Sequence, residues 1–428
     1  MGRLRGRLSG GLGANYWKLW SASAASNLAD GMFWIAFPLL AIQLTDSPVL
    51  VAGVSVVARL PWLFFVLFAG ALADRLDRRR TMVSIAALRT GMAAFVALGI
   101  VTGFVNLPVL YVTAFVLGVG ETLFDTAAQS VMPSVVERDQ LSRANGRLYA
   151  AELTMNQFVG PPLGGVLAGA AIALAFVGSA FAFAFAALSL AVLSGSFKPA
   201  TSPTKTTIIE DIREGLAYLL GHRLLRTLAL MVGVMNLTSS ATFAIFVLYA
   251  VAPGPLGLNE VGFGLLTTTM AIGSLAGSVL VERAERRLGR GRLLLVAVIV
   301  SAVTVALPGL TTSPLVVGIA FAASGVAVVM WNVVTVSLRQ RIVPDRLLGR
   351  VNASYRLLAW GSQPIGALLG GIVGEAFGLQ PVFILAGLLA GTLVLAARIV
   401  TDDAISAAEG EDRLDPNGGR VTDRPPAA

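Results

Sequence analysis

The feature that most constrains this chain is the spacing of its apolar runs. Twelve stretches lie near residues 17–43, 48–73, 81–103, 107–131, 146–170, 172–196, 225–250, 259–281, 291–310, 314–337, 353–377 and 380–400. Each is long enough to supply the roughly 20 mostly apolar residues that a membrane-crossing helix needs. Only 13% of the residues are charged, about half the share in a soluble domain, and the mean hydropathy is +0.78. The expected fold class is therefore an all-α integral membrane protein with twelve transmembrane helices.

Charge sits almost entirely in alternate connections. One set carries Arg75, Arg78, Arg79 and Arg80, then Arg138, Arg143 and Arg147, then Lys198, Lys205, Arg213, Arg223 and Arg226. It continues with Arg283, Arg286, Arg287, Arg290 and Arg292, and with Arg339, Arg341, Arg346 and Arg350. The other set holds Asp46, Glu260 and small polar residues, without lysine or arginine. The positive-inside rule then places both termini in the cytoplasm, and it accounts for the net charge of +8 without a nucleic-acid partner. The start, with Arg3, Arg5 and Arg7, has the basic character of a signal peptide. The apolar run after it is too long and no cleavage site follows, so it reads as a cytoplasmic N-terminus.

The absence of cysteine rules out disulfides, thiolate metal sites and a cysteine nucleophile. A single histidine, His222, argues against histidine-based metal or catalytic chemistry. No Gly-Lys-Ser/Thr phosphate loop is present, so ATP drive has no support. No metal, no cofactor and no enzymatic activity are expected.

Residues 198–224 interrupt the pattern. Lys198-Pro199 and Ser202-Pro203 open a polar linker. Ile208 to Leu220 then reads as an amphipathic helix with Ile208, Ile212, Leu216 and Leu219 on one face. It is expected to lie along the inner membrane surface. The tail from Thr401 is acidic and poor in large apolar residues, and is expected to be disordered.

The two halves repeat at an offset of about 207 residues. Asp74-Arg75-x-Asp77-Arg78-Arg79 returns as Glu282-Arg283-x-Glu285-Arg286-Arg287, and Leu141-x-Arg143-x-Asn145 as Leu348-x-Arg350-x-Asn352. Gly160-x-x-Leu163-Gly164-Gly165 returns as Gly366-x-x-Leu369-Gly370-Gly371. Gly70 to Arg80 resembles the loop signature of the major facilitator superfamily, with Asp77 where that signature has glycine. Two pseudo-symmetric six-helix bundles are what this resemblance implies. The expected divisions are a cytoplasmic N-terminus (1–15), a first bundle (16–197), a linker (198–224), a second bundle (225–400) and a tail (401–428).

The run Gly160-Pro161-Pro162-Leu163-Gly164-Gly165 resembles the antiporter signature of the fifth helix. There proline frees a backbone carbonyl and glycine lets helices approach closely, so the helix can bend. Gly120-Glu121-Thr122-Leu123-Phe124-Asp125-Thr126, Asp30-Gly31 and Ala58-Arg59-Leu60-Pro61 are similar to the twelve-helix drug exporters that include macrolide and enterobactin-type siderophore exporters. The resemblance implies a secondary transporter that exchanges small amphiphilic molecules for protons across a bacterial inner membrane, working as a monomer. Two alternatives remain open: a proton-coupled importer, and a lipid-handling transporter of the same fold. One departure stands out: no arginine precedes Gly118-Val119-Gly120 in the fourth helix.

Ionisable side chains at mid-membrane depth cost at least about 2.5–3.5 kcal/mol, so each is a functional candidate. Asp30, Glu121, Asp125 and Glu152 are the expected proton-coupling acids, with Arg59 and Arg89 as counter-ions. Burial disfavours the charged form of a carboxyl such as Asp30; pairing with Arg59 is its alternative role. Glu121 and Asp125 are one helical turn apart, so a proton can be shared between them; pairing with Arg89 is the alternative there. The superfamily resemblance makes Asp74, with Arg75, Arg78 and Arg79, a cytoplasmic gate. Trp34, Phe124, Phe158, Phe243, Trp331, Asn332 and Trp360 are candidates for lining a cargo cavity, where flat rings suit bulky amphiphiles and attract cations.

Overall fold

Apolar runs of this length become helices whose ends are set by local capping chemistry. The computed structural model describes residues 12–73, 77–195 and 208–411. They form α1 (Gly13–Leu44), α2 (Pro48–Ala73), α3 (Arg78–Thr102), α4 (Leu107–Val135), α5 (Leu141–Leu153), α6 (Gly160–Ala170) and α7 (Ile172–Ala191). Then come α8 (Ile208–Gly221), α9 (Arg223–Ala250), α10 (Glu260–Leu288), α11 (Arg290–Ala306), α12 (Pro314–Ile342), α13 (Asp345–Phe377), α14 (Leu379–Ala397) and α15 (Asp402–Glu411). Among the described residues, ten helices are long and apolar enough to cross a membrane, and Pro48–Phe64 is a shorter apolar one.

Several helices overrun their apolar stretches at the basic ends. α10 continues through Arg286 and Arg287, and α12 through Arg339 and Arg341. Cations in a last turn complement the partial negative charge of the helix C-terminus. Asp77, where the signature has glycine, is the N-cap of α3: its carboxylate accepts from the Arg80 amide at 3.0 Å. Asn106 caps α4 in the same way through the Val109 amide, at 3.1 Å.

Between α5 and α6 the helix does not break but widens into a π-helical turn, Thr154–Val159. The amide of Gly160 reaches back five residues to the Met155 carbonyl. Pro161 and Pro162 supply no amides for the ordinary ladder, and the extra residue is absorbed just ahead of them.

The chain divides into two units, Met1–Pro203 with Val247–Thr268, and Thr204–Phe246 with Thr269–Ala428. This differs from the expected bundles, because the hairpin joining α9 to α10 groups with the first unit. Glycines account for that grouping. A Cβ on Gly165 would stand 2.7 Å from the Glu260 carbonyl oxygen, and one on Gly264 would stand 2.6 Å from that of Pro161. In the first unit α1 packs on α6 and α7, α3 on α4 and α7, and α2 on α4. Its core gathers Tyr16, Leu19, Met82, Phe124, Val131 and Leu190. In the second unit α11 packs on α12 and α14, around Leu228, Leu294, Trp331, Leu338 and Val351.

α8 is docked on α13. Gly215 is pressed so close to the Arg350 carbonyl that a Cβ would stand 2.3 Å away. Glu214 pairs with Arg350, and with Arg346 at 3.7 Å, while Tyr218 donates to the Ile342 carbonyl at 3.2 Å. The tail is not disordered throughout, for α15 is a helix with Ile405 and Ala408 buried. Asp402 accepts from the Gly291 amide at 2.8 Å, and Glu409 takes Arg290 at 2.6 Å and Arg341 at 3.4 Å. Gly289, at φ +79°, leaves room for the Asp402 carboxylate that a side chain would fill. Residues 196–207 and 412–428, which include the first part of the expected linker and the rest of the tail, lie outside the described residues.

Candidate coupling site

Small residues let three helices of the first unit meet around a polar centre. Gly31 on α1 touches the Asn156 backbone of the π turn, and Gly160 and Gly164 on α6 touch Gly31 and Met32. Asp30 is thereby held inside the unit, 6% exposed. Its partner is Arg89 of α3, 1% exposed, which forms an ion pair with the Asp30 carboxylate and donates to the Ser26 hydroxyl at 2.9 Å. The guanidinium lies over the Phe183 ring, 4.0 Å from its centroid. Gly120 makes room for the arginine stem, where a Cβ would come 2.9 Å from Cδ.

Arg59 is therefore not the partner of Asp30. It lies over the Trp34 ring at 4.3 Å, a cation–π contact between α2 and α1. Glu121 is within electrostatic reach of Asp30, Asp125 and Arg59. Asp125 is within reach of Glu121, Asp30, Glu152 and Arg89. The four acids and two arginines singled out from the sequence thus share one electrostatic neighbourhood in the first unit, with acids outnumbering cations. No group of His, Cys, Asp or Glu among the described residues is arranged to hold a metal.

Asp74 and Arg75 lie outside the described residues. Arg78 donates to the Ser130 carbonyl at 2.9 Å and Arg79 to the carbonyls of Leu190, at 3.1 Å, and Ala191. Arg79 thus satisfies carbonyls that the end of α7 leaves without a helical partner. The residues expected around a cargo are divided. Phe124 (0% exposed) and Trp331 (2%) are packed inside the helical cores rather than facing an open cavity. Phe158 and Phe243 are half-buried, whereas Trp34, Asn332 and Trp360 are exposed.

Sequence reading missed two arginines of the second unit. The charge pattern puts Arg339 in a basic connection, yet it belongs to α12 and is 7% exposed. Arg356 of α13 lies 5.5 Å from the Trp360 ring centroid. Their four-residue steps from Thr335 and to Trp360 were the available signal.

The family profile of transmembrane secretion effectors in the major facilitator superfamily matches residues 13–417. The chain belongs to this family. Its members are transporters, and this one is a multi-pass membrane protein. The multidrug efflux pump Tap of Mycobacterium tuberculosis (strain ATCC 25618 / H37Rv) is 29% identical over 382 residues, 85% of this chain and 88% of Tap. Macrolide efflux protein A of Streptococcus pyogenes is 24% identical over 406 residues, 90% of this chain and 96% of that protein. Among solved structures, a bacterial homologue of the iron transporter ferroportin in the inward-facing state superposes with a TM-score of 0.70 at 17% identity, covering 90% of this chain and 98% of that one. A bacterial homologue of the lysosomal transporter Spinster, inward-facing and occupied, gives 0.72 at 13% identity, with 94% and 98% covered. At such identities the likeness is one of fold.

Proposed function

We propose that this secretion effector is a proton-coupled exporter of small amphiphilic molecules, drug-like, macrolide-like or siderophore-like. It works in the inner membrane of a bacterium as a monomer, with twelve helices in two six-helix bundles and both termini in the cytoplasm. The observation that carries the proposal is the excess of buried or half-buried acid in the first unit. Asp30, Glu121, Asp125 and Glu152 outnumber Arg59 and Arg89 in this neighbourhood, so full ionisation leaves more negative than positive charge there in a region of low dielectric. Proton uptake removes that excess, and the cost of ionisation then depends on which side of the membrane hydrates the acids. Alternating access makes that hydration alternate, which couples proton flow to cargo flow. The efflux relatives Tap and macrolide efflux protein A supply the direction, outward. Asp74, Arg75, Arg78 and Arg79 act as the inner gate, and Gly160, Pro161, Gly164 and Gly165 as the bending point.

The test uses inside-out vesicles loaded with the full chain and a fluorescent amphiphilic dye. Asp30→Asn and Asp125→Asn are each expected to abolish dye accumulation driven by a pH gradient while leaving dye–dye exchange intact. Undiminished uphill transport in both variants would refute the proton coupling.

A further inference from the structure

Two open apolar stripes of the second unit end in arginines that come together at the base of neighbouring helices. On α11, Arg292, Val296, Ile299 and Val303 follow one another at steps of four, three and four residues, so they share a face. On α14, Leu385, Leu388 and Leu395 form a second such face, and Arg398 stands three residues beyond Leu395, just past the helix end. The six apolar side chains are 41–65% exposed, and both arginines are exposed. In a bilayer such stripes lie against acyl chains, and arginines at their ends reach the headgroup level.

The two stripes belong to one packed pair of helices. α11 packs on α14, where Leu294, Ala297 and Val298 share a core with Leu393, Ala397 and Val400. At the far end Gly387 is pressed against Ala302 and Ala306. At the basic end a Cβ on Gly291 would stand 2.9 Å from the Val400 carbonyl oxygen and 2.7 Å from the Asp402 nitrogen. Arg292 follows that contact directly, and Arg398 precedes it by two residues. Acids of the same corner are occupied: Asp402 accepts from the Gly291 amide, and Glu409 takes Arg290 and Arg341. Asp403, which is exposed, is the remaining acid of the first turn of α15.

We propose that the inner ends of α11 and α14 together hold one anionic phospholipid. Arg292 and Arg398 grip the headgroup phosphate, which the planar guanidinium fits in shape and charge. The two stripes carry the acyl chains. Bound there, the lipid ties α14 to α11 at the corner where the chain turns into α15. Only the word inner rests on the orientation proposed above. The pairing of two arginines separates this site from the diffuse pull of a basic surface, in which every exposed arginine counts alike.

The full chain in a neutral detergent is titrated with phosphatidylglycerol, and with phosphatidylcholine of the same acyl chains, while native mass spectrometry counts the lipids retained. One phosphatidylglycerol per chain should bind about 25-fold more tightly than phosphatidylcholine, about fivefold for each basic side chain. Arg292→Gln and Arg398→Gln should each weaken it about fivefold, whereas lysine at either position should restore most of the affinity. Arg223→Gln, at an exposed position at the start of α9, should leave it unchanged. Glycerophosphoglycerol, the same headgroup without acyl chains, and inorganic phosphate should not displace the lipid. Equal retention of the two lipids, or an equal loss in Arg223→Gln, would overturn the proposal. Displacement by inorganic phosphate would overturn it too, in favour of a free-anion site. No transport is measured, so failure here leaves the proton-coupling test in vesicles untouched.

Discussion

The two units handle charge in opposite ways. The first buries an ion pair, Asp30 with Arg89, deep among α1, α3 and α7. The second keeps its ion pairs at the rim, on Arg290, Arg341, Arg346 and Arg350, and buries a single arginine against an amide and a ring. The difference is what an asymmetric machine built from a repeated half requires. The second half has Asn332 at the position matching Asp125, and no membrane acid matches Asp30 there. The proposed proton chemistry therefore belongs to the first unit alone. A duplicated backbone thus carries two different electrostatic programmes.

The largest effect that can break this comparison is Asp30→Asn. It removes the carboxylate paired with Arg89, and a loss of about 3–5 kcal/mol is expected, read from denaturant unfolding in detergent. The double variant Asp30→Asn/Arg89→Met should recover most of that loss. Arg339→Met should cost only about 1–2 kcal/mol, because Asn352 Oδ1 loses a donor but no charge is left unpaired. Equal costs for Asp30→Asn and Arg339→Met would erase the distinction between the units. At the rim, Glu409→Gln should cost about 1 kcal/mol and be screened by salt, visible as faster amide exchange across Asp402–Glu411. Glu214→Gln, between two more exposed partners, should cost less than about 1 kcal/mol, with the change confined to exchange in α8.

Much of this was legible in the sequence, and the failures share a cause. Apolar length locates the helices because the bilayer sets their span. The four-residue step from Glu121 to Asp125 fixes a common face whatever the neighbours are. Partner choice is another matter. Asp30, Arg89 and Glu121 each lie about 20 Å along their helices from the ends at Leu44, Thr102 and Leu107. Arg59 lies only somewhat nearer its own end, so depth alone cannot decide between the two arginines. What decides is lateral packing, set by Gly120 beside Arg89 and by Trp34 beneath Arg59. Arg339 was hidden because a helix that overruns its apolar stretch makes an interior position look like a loop. α15 was hidden because its partners, Gly291, Arg290 and Arg341, are more than 60 residues away along the chain.

The widened turn at Thr154–Val159 has one further consequence. It stores one residue more than a regular helix would use over the same length. If that surplus slid along the helix by a position, the residue passed over would swing by about 100° without any break in the rod. Glu152 lies on one side of the turn and the Gly160–Gly165 crossing on the other. A travelling surplus would therefore act as a rotary joint, re-aiming an acid while the glycine crossing stayed in place.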